Sequence, residues 1–368
     1  MKIVFVEPGA SLRPVGGTRV VYEHANRLAE RGHDVTVVLP AAQKPAARLG
    51  KKIRLWLRWR RWKRDGRWRP TWASISPKVR VLWTLDLSPK WTPPGDVVVA
   101  TVWSAVEAVD RLPAGHGAKV FFAQHWDFGF ERDAEGVERA WSAPMPKIVI
   151  ARSIRAKAAE RGVEAALVPN GLAFETFGLD TPLAGRDPWR VAMIHQRASY
   201  KGFSDALEAL ALAHAAEPRL TVEMYGPGAP EGLPPYVTYH ASPTDADLRA
   251  LYNRSAVFLS ASHNEGWGLP PCEAALCGAA LAITDVLGHR EFAIDGETAL
   301  MSAPRDPRAL ADNLLRLVAD AELRARLNGA VREVLAQFTW ERACDQMEAT
   351  LTRIAAGQPA SGQPASGQ

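Results

Sequence analysis

Cysteine is scarce in this chain, and no apolar run is long enough to cross a membrane. The chain has three cysteines, Cys272, Cys277 and Cys344, too few for a disulfide framework. A membrane-spanning helix needs about 20 mostly apolar residues, and no stretch reaches that length. The opening MKIVFVEPG is typical of a strand rather than of a charged segment followed by an apolar core, so no secretory leader is indicated. These absences predict a cytoplasmic protein whose cysteines belong to the core.

The charge of the chain is unevenly distributed. A length of 368 residues suits two domains, and the formal net charge is +5. Residues 51–72 hold ten Lys or Arg and one Asp, and the rest of the chain has 35 basic and 39 acidic residues. The protein is therefore mildly acidic apart from one strongly basic segment. That segment also holds five of the 13 tryptophans.

The most informative stretch is AVFLSASHNEGWGLPPCEAALCGAALAIT, which begins at residue 256. Two apolar runs, 256–260 and 279–284, have the length of buried strands. Between them lie a polar loop with two glycines and a helix that Pro270 and Pro271 open and Gly278 ends. This pattern predicts a βαβ unit. Its loop should lie at the carboxyl end of a parallel strand, where open α/β sheets bind ligands.

Two carboxylates stand out in this stretch. Glu265 lies in the loop, where a carboxylate caps nothing obvious. Glu273 is eight positions further on, and a Glu in the first turn of a helix is also favourable without any ligand. Between them, the amides near Gly268 and Leu269 lie at a helix N-terminus, which is a natural phosphate site. The order of these groups fits a sugar, a diphosphate and a ribose.

The stretch EGWGLPPCEAALCG, in which seven residues separate Glu265 from Glu273, resembles the E-x7-E signature of the GT-B retaining glycosyltransferases of family 4. Residues 189–340 resemble the donor domain of that family, and residues 1–40 resemble the start of its acceptor domain more weakly. The resemblance implies an α/β, GT-B fold with two Rossmann-like domains facing each other across a cleft. It also implies that Glu265 contacts the donor sugar and Glu273 the ribose.

Basic residues precede this stretch in the sequence HQRASYKG, which follows the predicted strand 190–194. Arg197 and Lys201 could neutralise a diphosphate. The segment resembles the Arg and Lys-Gly element that binds donor phosphates in the family, although Gln196 stands where a glycine is usual. Asp245 and Asp247 match the metal-binding D-x-D of other glycosyltransferases. Because they open a predicted helix, capping explains them instead, and we expect no metal and no other cofactor.

Two further candidates lie in the first half of the chain. Gly16 and Gly17 stand between a strand and an amphipathic helix predicted from about residue 18, a geometry that suits phosphate. The family resemblance implies that this loop approaches the donor phosphates and the acceptor. His125 follows the strand VFFA directly. A histidine there can be an ordinary surface residue, but the resemblance implies a catalytic histidine at this point.

The domain boundaries follow from the turn and proline signals. We expect an N-terminal acceptor-side domain over 1–172, ending at VPNG, and a linker over 173–188. The nucleotide-sugar donor domain should span 189–338, and a C-terminal helix over 339–356 should cross back to the first domain. The repeated GQPAS sequence over 357–368 predicts a disordered tail.

The basic, Trp-rich insert over about 43–72 is not explained by any of these motifs. As a helix, it gathers apolar residues toward one side, and basic residues with Trp are typical of a membrane-surface element. An anionic acceptor, nucleic acid and simple packing on its own domain are the alternatives. We expect an anionic membrane surface or acceptor as the partner of 51–72 and do not expect nucleic acid.

The sequence thus predicts a hexosyltransferase that moves a sugar from a nucleoside diphosphate sugar to a hydroxyl of a glycan, lipid-linked or small-molecule acceptor. The proposed catalytic residues are Glu265, Lys201, Arg197 and His125; the donor-binding residues are Glu273, Gly268, Leu269, Gly16 and Gly17. A GT-B nucleotide-sugar epimerase, a hydrolase and a non-catalytic nucleotide-sugar-binding protein are the alternatives. The expected location is cytoplasmic, peripheral on the inner face of the membrane.

Overall fold

The apolar segments predicted as strands pair side by side in parallel sheets. The structure, a computed structural model, describes residues 1–44, 48–127 and 133–360. The chain forms two compact units, one from Met1–Asn170 with the C-terminal segment that begins at Trp340, the other from Gly171–Thr339. The α/β class and the two Rossmann-like domains predicted from the sequence are confirmed. Residues 361–368 of the predicted disordered tail lie outside the described residues.

The first unit is built on a seven-stranded parallel sheet. Its strands are β1 (Lys2–Val6), β2 (Asp34–Pro40), β3 (Arg80–Thr84), β4 (Val97–Ala100), β5 (Ala118–Ala123), β6 (Lys147–Val149) and β7 (Ala165–Leu167). They lie in the order β3-β2-β1-β4-β5-β6-β7. Its helices are α1 (Gly16–Glu30), α2 (Leu49–Asp65), α3 (Trp103–Asp110), α4 (Ala134–Ser142), α5 (Arg152–Glu160) and α11 (Trp340–Ala355).

The second unit is built on a six-stranded parallel sheet. Its strands are β8 (Arg190–Ile194), β9 (Thr221–Gly226), β10 (Val237–Ala241), β11 (Val257–Ser260), β12 (Ala280–Thr284) and β13 (Leu300–Ser302). They lie in the order β10-β9-β8-β11-β12-β13. Its helices are α6 (Phe203–Ala216), α7 (Asp245–Arg254), α8 (Leu269–Leu276), α9 (Pro307–Ala319) and α10 (Ala321–Leu335).

The central strands are buried along their length. Every residue of β4, β11 and β12 is buried, which is why these strands are continuous apolar runs rather than alternating ones. Each sheet has one switch point, at which the order of its strands reverses. It lies between β1 and β4 in the first unit and between β8 and β11 in the second. The loops that follow these strands lie at the carboxyl edge of each sheet, where α/β folds bind ligands.

Helix α11 packs within the first unit although it comes last in the chain. Trp340, Met347 and Leu351 are buried on it, and Arg31 on the segment after α1 donates to Glu348 at 2.7 Å. The apolar contacts stabilise this arrangement more than the ion pair does, because half-exposed ion pairs contribute little. Among the described residues, no helix combines the length and the apolar composition that crossing a bilayer requires.

Arg186 is a buried cation in the segment of the second unit that precedes β8. Its side chain is 7% exposed. Its guanidinium donates to main-chain oxygens of Thr181, Tyr252, Ser255 and Cys277. Tyr252 lies at the end of α7 and Cys277 follows the end of α8, so one cation donates to carbonyls near the C-termini of two helices, where a positive charge is favourable. Burial lowers the pKa of Arg186. The residue thereby fixes the end of the helix that follows the polar loop.

Replacing Arg186 with Met should destabilise the second unit, because several carbonyls would lose the hydrogen bonds of a buried guanidinium. The expected loss is about 3 kcal/mol or more, which lowers the unfolding midpoint by roughly 6–12 °C in a domain of this size. Thermal unfolding followed by circular dichroism measures it. The matched control is Arg326→Met, since Arg326 is exposed and donates to a single carbonyl, that of Gly296. Equal midpoints for the two variants would contradict the role given to Arg186.

Candidate functional site

Two loops join at the switch point of the second sheet. The loop after β8 and the loop after β11 are tied by a main-chain hydrogen bond from His263 to the carbonyl of Tyr200, at 2.7 Å. Gly202 makes this contact possible. Its φ is +63°, and a β carbon at that position would lie 1.9 Å from the carbonyl oxygen of Ala261. Only glycine permits both the conformation and the approach.

Lys201 and Glu265 form an ion pair across these two loops. The ammonium donates to both carboxylate oxygens of Glu265 at 2.8 Å each, and Ser262 Oγ donates to Oε1 at 2.8 Å. The side chains are 19% and 15% exposed. Three hydrogen bonds therefore satisfy a carboxylate that the loop largely removes from water, as burial of a charge requires. An ammonium has three donors, so Lys201 keeps capacity for one more acceptor.

The electrostatic surroundings keep Glu265 ionised. Burial would raise the pKa of this carboxyl group, but the charge and hydrogen bonds of Lys201, together with His289 and Ser262, outweigh burial and lower it. His289 is fully buried, and its Nδ1 lies 2.7 Å from the carbonyl of Thr284. Burial, the largest cause, lowers the pKa of His289. The site therefore holds a carboxylate that accepts hydrogen bonds and does not donate a proton.

The start of α8 presents main-chain donors three and four residues along the chain from Glu265. Gly268 precedes the helix with φ +105°, and a β carbon there would lie 2.8 Å from Cδ2 of His289. Pro270 and Pro271 have no amide hydrogen, so the donors at this helix start come from Gly268 and Leu269. In the described part of the chain, neither of these two amides donates a hydrogen bond. Two adjacent free N–H groups at a helix N-terminus form an anion site.

The sequence suggested that Glu273 lies in the first turn of α8, but the structure places it beyond that turn. The helix begins at Leu269 rather than at the prolines, because Gly268 supplies the left-handed conformation that precedes it. Glu273 is thus its fifth residue, and no acidic residue stands in the first turn. The macrodipole explanation for this side chain is correspondingly weaker. The charge of Glu273, after burial, raises the pKa of Tyr225 near the end of β9. Gly278, at φ +103°, follows the helix as predicted.

Arg197 and Lys201 lie on the same loop but in different environments. Lys201 is held by Glu265, whereas Arg197 is exposed. The part of the chain that the structure describes contains no hydrogen bond or ion pair to Arg197. Its guanidinium lies 3.7 Å from the position of a β carbon on Gly228. Arg197 is therefore available to an anion from solvent, and Lys201 is the preorganised cation of the loop.

Asp247 of the D-x-D pair is part of a helix cap. Thr244 precedes α7, its hydroxyl accepts from the amide of Asp247, and Asp247 accepts from the amide of Thr244 at 3.0 Å. This capping box accounts for the position of Asp247, so capping explains that residue as the sequence predicted. Elsewhere within 1–44, 48–127 and 133–360, no group of three or more His, Cys, Asp or Glu side chains is arranged to hold a metal ion.

The glycine pair predicted to bind phosphate belongs to the first unit and lies inside α1. Gly16 and Gly17 are the first two residues of that helix rather than part of the preceding loop. Thr18 follows them and donates to Glu7 Oε2 at 2.7 Å, while Thr101 donates to Oε1 at 2.8 Å. Glu7 is 1% exposed, and burial raises its pKa. It joins the ends of β1 and β4 at the switch point of the first sheet.

His125 also lies in the first unit, after β5 and half-buried. Its Nδ1 is 3.7 Å from Asp127 Oδ1. The neighbouring Gln124 side chain lies 3.5 Å from the position of a β carbon on Gly17, so the ends of α1 and β5 meet at the carboxyl edge of the first sheet. The predicted site residues thus fall into two groups. Gly16, Gly17 and His125 belong to the first unit, and the others belong to the second.

Three residues of these sites were not among the sequence candidates. Ser262 and His289 surround Glu265, and Glu7 organises the first switch point. Ser262 and Glu7 each follow the end of a buried strand by no more than two residues. A polar residue at that position can be recognised in the sequence as a candidate for the site. His289 follows β12 by five residues, and its contact with Gly268 depends on how two loops pack. That contact has no signal in the sequence.

The Lys201–Glu265 pair predicts a reversal of pH dependence. With its pKa lowered, Glu265 contributes stability above about pH 4.3, its ordinary unfolded value, and this stability is lost as the pH falls further. In Lys201→Met, the lysine no longer lowers the pKa of Glu265, and burial, the largest single influence, raises it against the weaker effects of His289 and Ser262. Stability is then lost as the pH rises. The variant should lose about 3–5 kcal/mol at pH 7 and much less at pH 5. Thermal unfolding at both pH values measures this.

The control for this prediction is the double variant Lys201→Met with Glu265→Gln. It removes the uncompensated charge, so most of the stability at pH 7 should return. A Lys201→Met variant that is equally destabilised at pH 5 and pH 7 would show that the lysine acts through packing and not through the ion pair.

Comparison with known proteins adds to this geometry. Residues 182–334 match the family model of the glycosyl transferases group 1. A D-inositol 3-phosphate glycosyltransferase from Xylanimonas cellulosilytica is 33% identical over 113 residues, which is 31% of this chain and 27% of the relative. A lipopolysaccharide core biosynthesis mannosyltransferase from Rhizobium leguminosarum is 33% identical over 104 residues, 28% of this chain and 30% of the relative. The chain therefore matches less than a third of the length of these curated relatives.

Solved structures resemble a larger part of the chain. Sucrose-phosphate synthase from Thermosynechococcus elongatus has a TM-score of 0.73 and 18% identity, covering 97% of this chain and 100% of the other. HepE from Anabaena in complex with UDP-glucose has a TM-score of 0.70 and 16% identity, covering 96% and 99%. At such identities the likeness concerns the fold, and it confirms the predicted GT-B fold class. Residues 182–334, which match the family model of the glycosyl transferases group 1, include Lys201, Glu265 and α8.

Proposed function

We propose that this protein is a retaining hexosyltransferase of the family 4 type that uses a nucleoside diphosphate sugar as donor. One observation carries the proposal. An ionised carboxylate, a preorganised ammonium and two free helix-terminal amides are grouped at the switch point of the second sheet. The carboxylate can accept hydrogen bonds from sugar hydroxyls. The ammonium and the amides can neutralise a diphosphate.

The comparisons with known proteins support a glycosyltransferase function. The family model covers the residues that form the group, and the Xylanimonas relative is a glycosyltransferase by name. HepE, which has a similar fold, was solved with UDP-glucose. Because the matches to named enzymes are short, the donor, the sugar and the acceptor are proposals for this chain. A hydroxyl of a glycan, lipid-linked or small molecule is the proposed acceptor.

Each residue of the second unit has a proposed role. Glu265 accepts hydrogen bonds from hydroxyls of the donor sugar, and Glu273 accepts them from the ribose. Lys201 and Arg197 compensate the charge of the diphosphate, together with the amides of Gly268 and Leu269. In the first unit, Gly16, Gly17 and His125 keep the roles that the family resemblance gives them. Losing one donor to a developing charge typically costs about 10²–10³ in rate.

The proposed reaction exchanges one bond at the anomeric carbon. The bond between that carbon and the diphosphate oxygen breaks, and a bond to the acceptor oxygen forms on the same face. The hydroxyl proton passes to the departing diphosphate, so the products are a glycoside and the nucleoside diphosphate. Glu265 is ill-suited to act as a general acid, because its pKa is lowered and a glycosidase acid needs a raised one. This observation disfavours hydrolysis in which Glu265 is the acid of a Glu265 and Glu273 pair.

The test is a panel of nucleoside diphosphate sugars screened first for thermal stabilisation and then for turnover. Ligand at a hundredfold its Kd raises stability by about 2.7 kcal/mol. We expect the stabilising donor to release nucleoside diphosphate in proportion to added acceptor. We also expect equal rates with chelator and with manganese, since the cations and amides of the loop supply the positive charge.

The alternatives give different products in the same assay. Free sugar released without acceptor would indicate a hydrolase. Conversion of the donor to an isomeric nucleotide sugar would indicate an epimerase, and binding without any turnover would indicate a non-catalytic partner. Loss of activity with chelator and its return with manganese would contradict the proposed source of positive charge.

Variants of the two glutamates should separate binding from turnover. Glu273→Gln should weaken binding of the free nucleoside diphosphate about 10- to 100-fold, because the ribose loses a charged acceptor. Glu265→Gln should bind the free diphosphate nearly as wild type but lower kcat about 100-fold. Isothermal titration calorimetry and initial rates measure the two effects.

The matched control is Asp312→Asn, which removes an exposed carboxylate from the second turn of α9. It should change neither binding nor kcat. If Glu273→Gln binds the nucleoside diphosphate as tightly as Asp312→Asn does, then Glu273 does not contact the ribose.

A further inference from the structure

Among the described residues, helix α2, the core of the basic insert, contacts the rest of the first unit through one face. No residue of this helix is fully buried. Trp59 Nε1 donates to the carbonyl of Trp83 at 3.2 Å, and Trp83 Nε1 donates back to the carbonyl of Trp59 at 3.1 Å. The ring of Trp62 stacks on Trp83 at 5.6 Å. These tryptophans anchor the helix on β3, the edge strand of the sheet, and fix which face points outward.

The outward face carries large apolar side chains in solvent. Their exposed fractions are 73% for Leu49, 51% for Ile53, 41% for Trp56 and 55% for Leu57. With about 100° between successive residues of a helix, these four side chains form one stripe, on the side away from Trp59 and Trp62. Contiguous exposed apolar surface of this kind marks a contact site. Packing on its own domain explains the anchored face of α2 but not this one.

Basic residues flank and extend the same stripe. By helical spacing, Arg60 and Arg64 continue it toward the end of α2, and Lys52 borders it. The guanidinium of Arg60 lies over the ring of Trp56, 5.2 Å from its centroid. Arg61 and Arg64 share Asp65, the one acidic residue of 51–72. The charge of the segment is therefore mostly uncompensated within it.

We propose that α2 is a docking surface for the face of a bilayer that contains anionic phospholipids. Charge complementarity argues for an anionic partner, since like charges this close oppose folding and gain nothing without one. The aliphatic stripe argues for lipid, because Leu49, Ile53 and Leu57 would gain nothing from the phosphates of a nucleic acid. Trp56 suits an interface with an apolar and a wet side. The helix lies on the membrane and does not cross it.

Vesicle co-sedimentation of the full chain tests this proposal. The vesicles are phosphatidylcholine alone, or with about a third of the lipid replaced by phosphatidylglycerol, at about 0.1 M and 0.5 M salt. We expect binding to the anionic vesicles only, weakened by salt. Replacing Lys52, Arg60 and Arg64 with Gln should lower the partition coefficient about fivefold for each charge removed. Ile53→Ser with Leu57→Ser should lower it about tenfold or more.

The control removes the same charge from other exposed positions of the first unit. It combines Arg111→Gln, Arg139→Gln and Arg155→Gln, residues that are exposed at the end of α3 and on α4 and α5. Its vesicle binding should match wild type. All variants should keep the wild-type thermal midpoint and donor affinity, because α2 has no buried side chain and no part in the second unit.

Three outcomes would overturn the proposal. One is negligible binding to both kinds of vesicle, and another is equal binding to both. The third is an Ile53→Ser, Leu57→Ser variant that binds anionic vesicles and single-stranded RNA as wild type does, which would make α2 a general polyanion site. The proposed transferase activity does not enter any of these measurements, so the two proposals can fail separately.

Discussion

The second unit depends on the ion pair between Lys201 and Glu265. A carboxylate that is 15% exposed is costly to bury unless it is paired and hydrogen-bonded, and this one receives bonds from an ammonium and a hydroxyl. The partners come from loops after neighbouring strands, so the pair also fixes the distance between those loops. The close approach of Gly202 to the carbonyl of Ala261 is the steric condition for it. The pair is thus both an electrostatic requirement and a constraint on the shape of the site.

At the start of α8, as at Gly202, a glycine lets the main chain lie close to neighbouring groups of the site. Gly268 turns the chain into the helix against His289, and the two prolines remove amide hydrogens that water would otherwise have to satisfy. What remains is a pair of N–H groups, three and four residues along the chain from the glutamate that holds the ammonium. At the other end, the burial of Arg186 is offset by its hydrogen bonds to carbonyls near the C-termini of two helices. Both ends of this short helix are therefore fixed by groups outside it.

The sequence predicted the strands and helices of this region closely, because buried parallel strands are unbroken apolar runs and glycine and proline mark the turns. It did not predict that Lys201 and Glu265 bond to each other, since they are 64 residues apart and local patterns carry no information on such contacts. The start of α8 was predicted at the prolines, whereas the helix begins at Leu269 because Gly268 before it adopts the left-handed conformation. The reciprocal hydrogen bonds between Trp59 and Trp83 could not be predicted from the sequence either, although they decide which face of α2 is exposed.

The chain uses positive charge in two physically different ways. In the second unit a single ammonium is held by a carboxylate, so its field is partly cancelled, but its position is set before any ligand arrives, which is what transition-state stabilisation requires. On α2 the cations are exposed and mostly uncompensated, so each adds a small, salt-sensitive attraction at no fixed position, which suits a fluid anionic surface. The second unit fixes the position of one cation, which suits the diphosphate proposed as its ligand. Helix α2 supplies many cations without fixing them, which suits the many headgroups of the proposed membrane surface. The segregation of charge along the sequence follows from that difference.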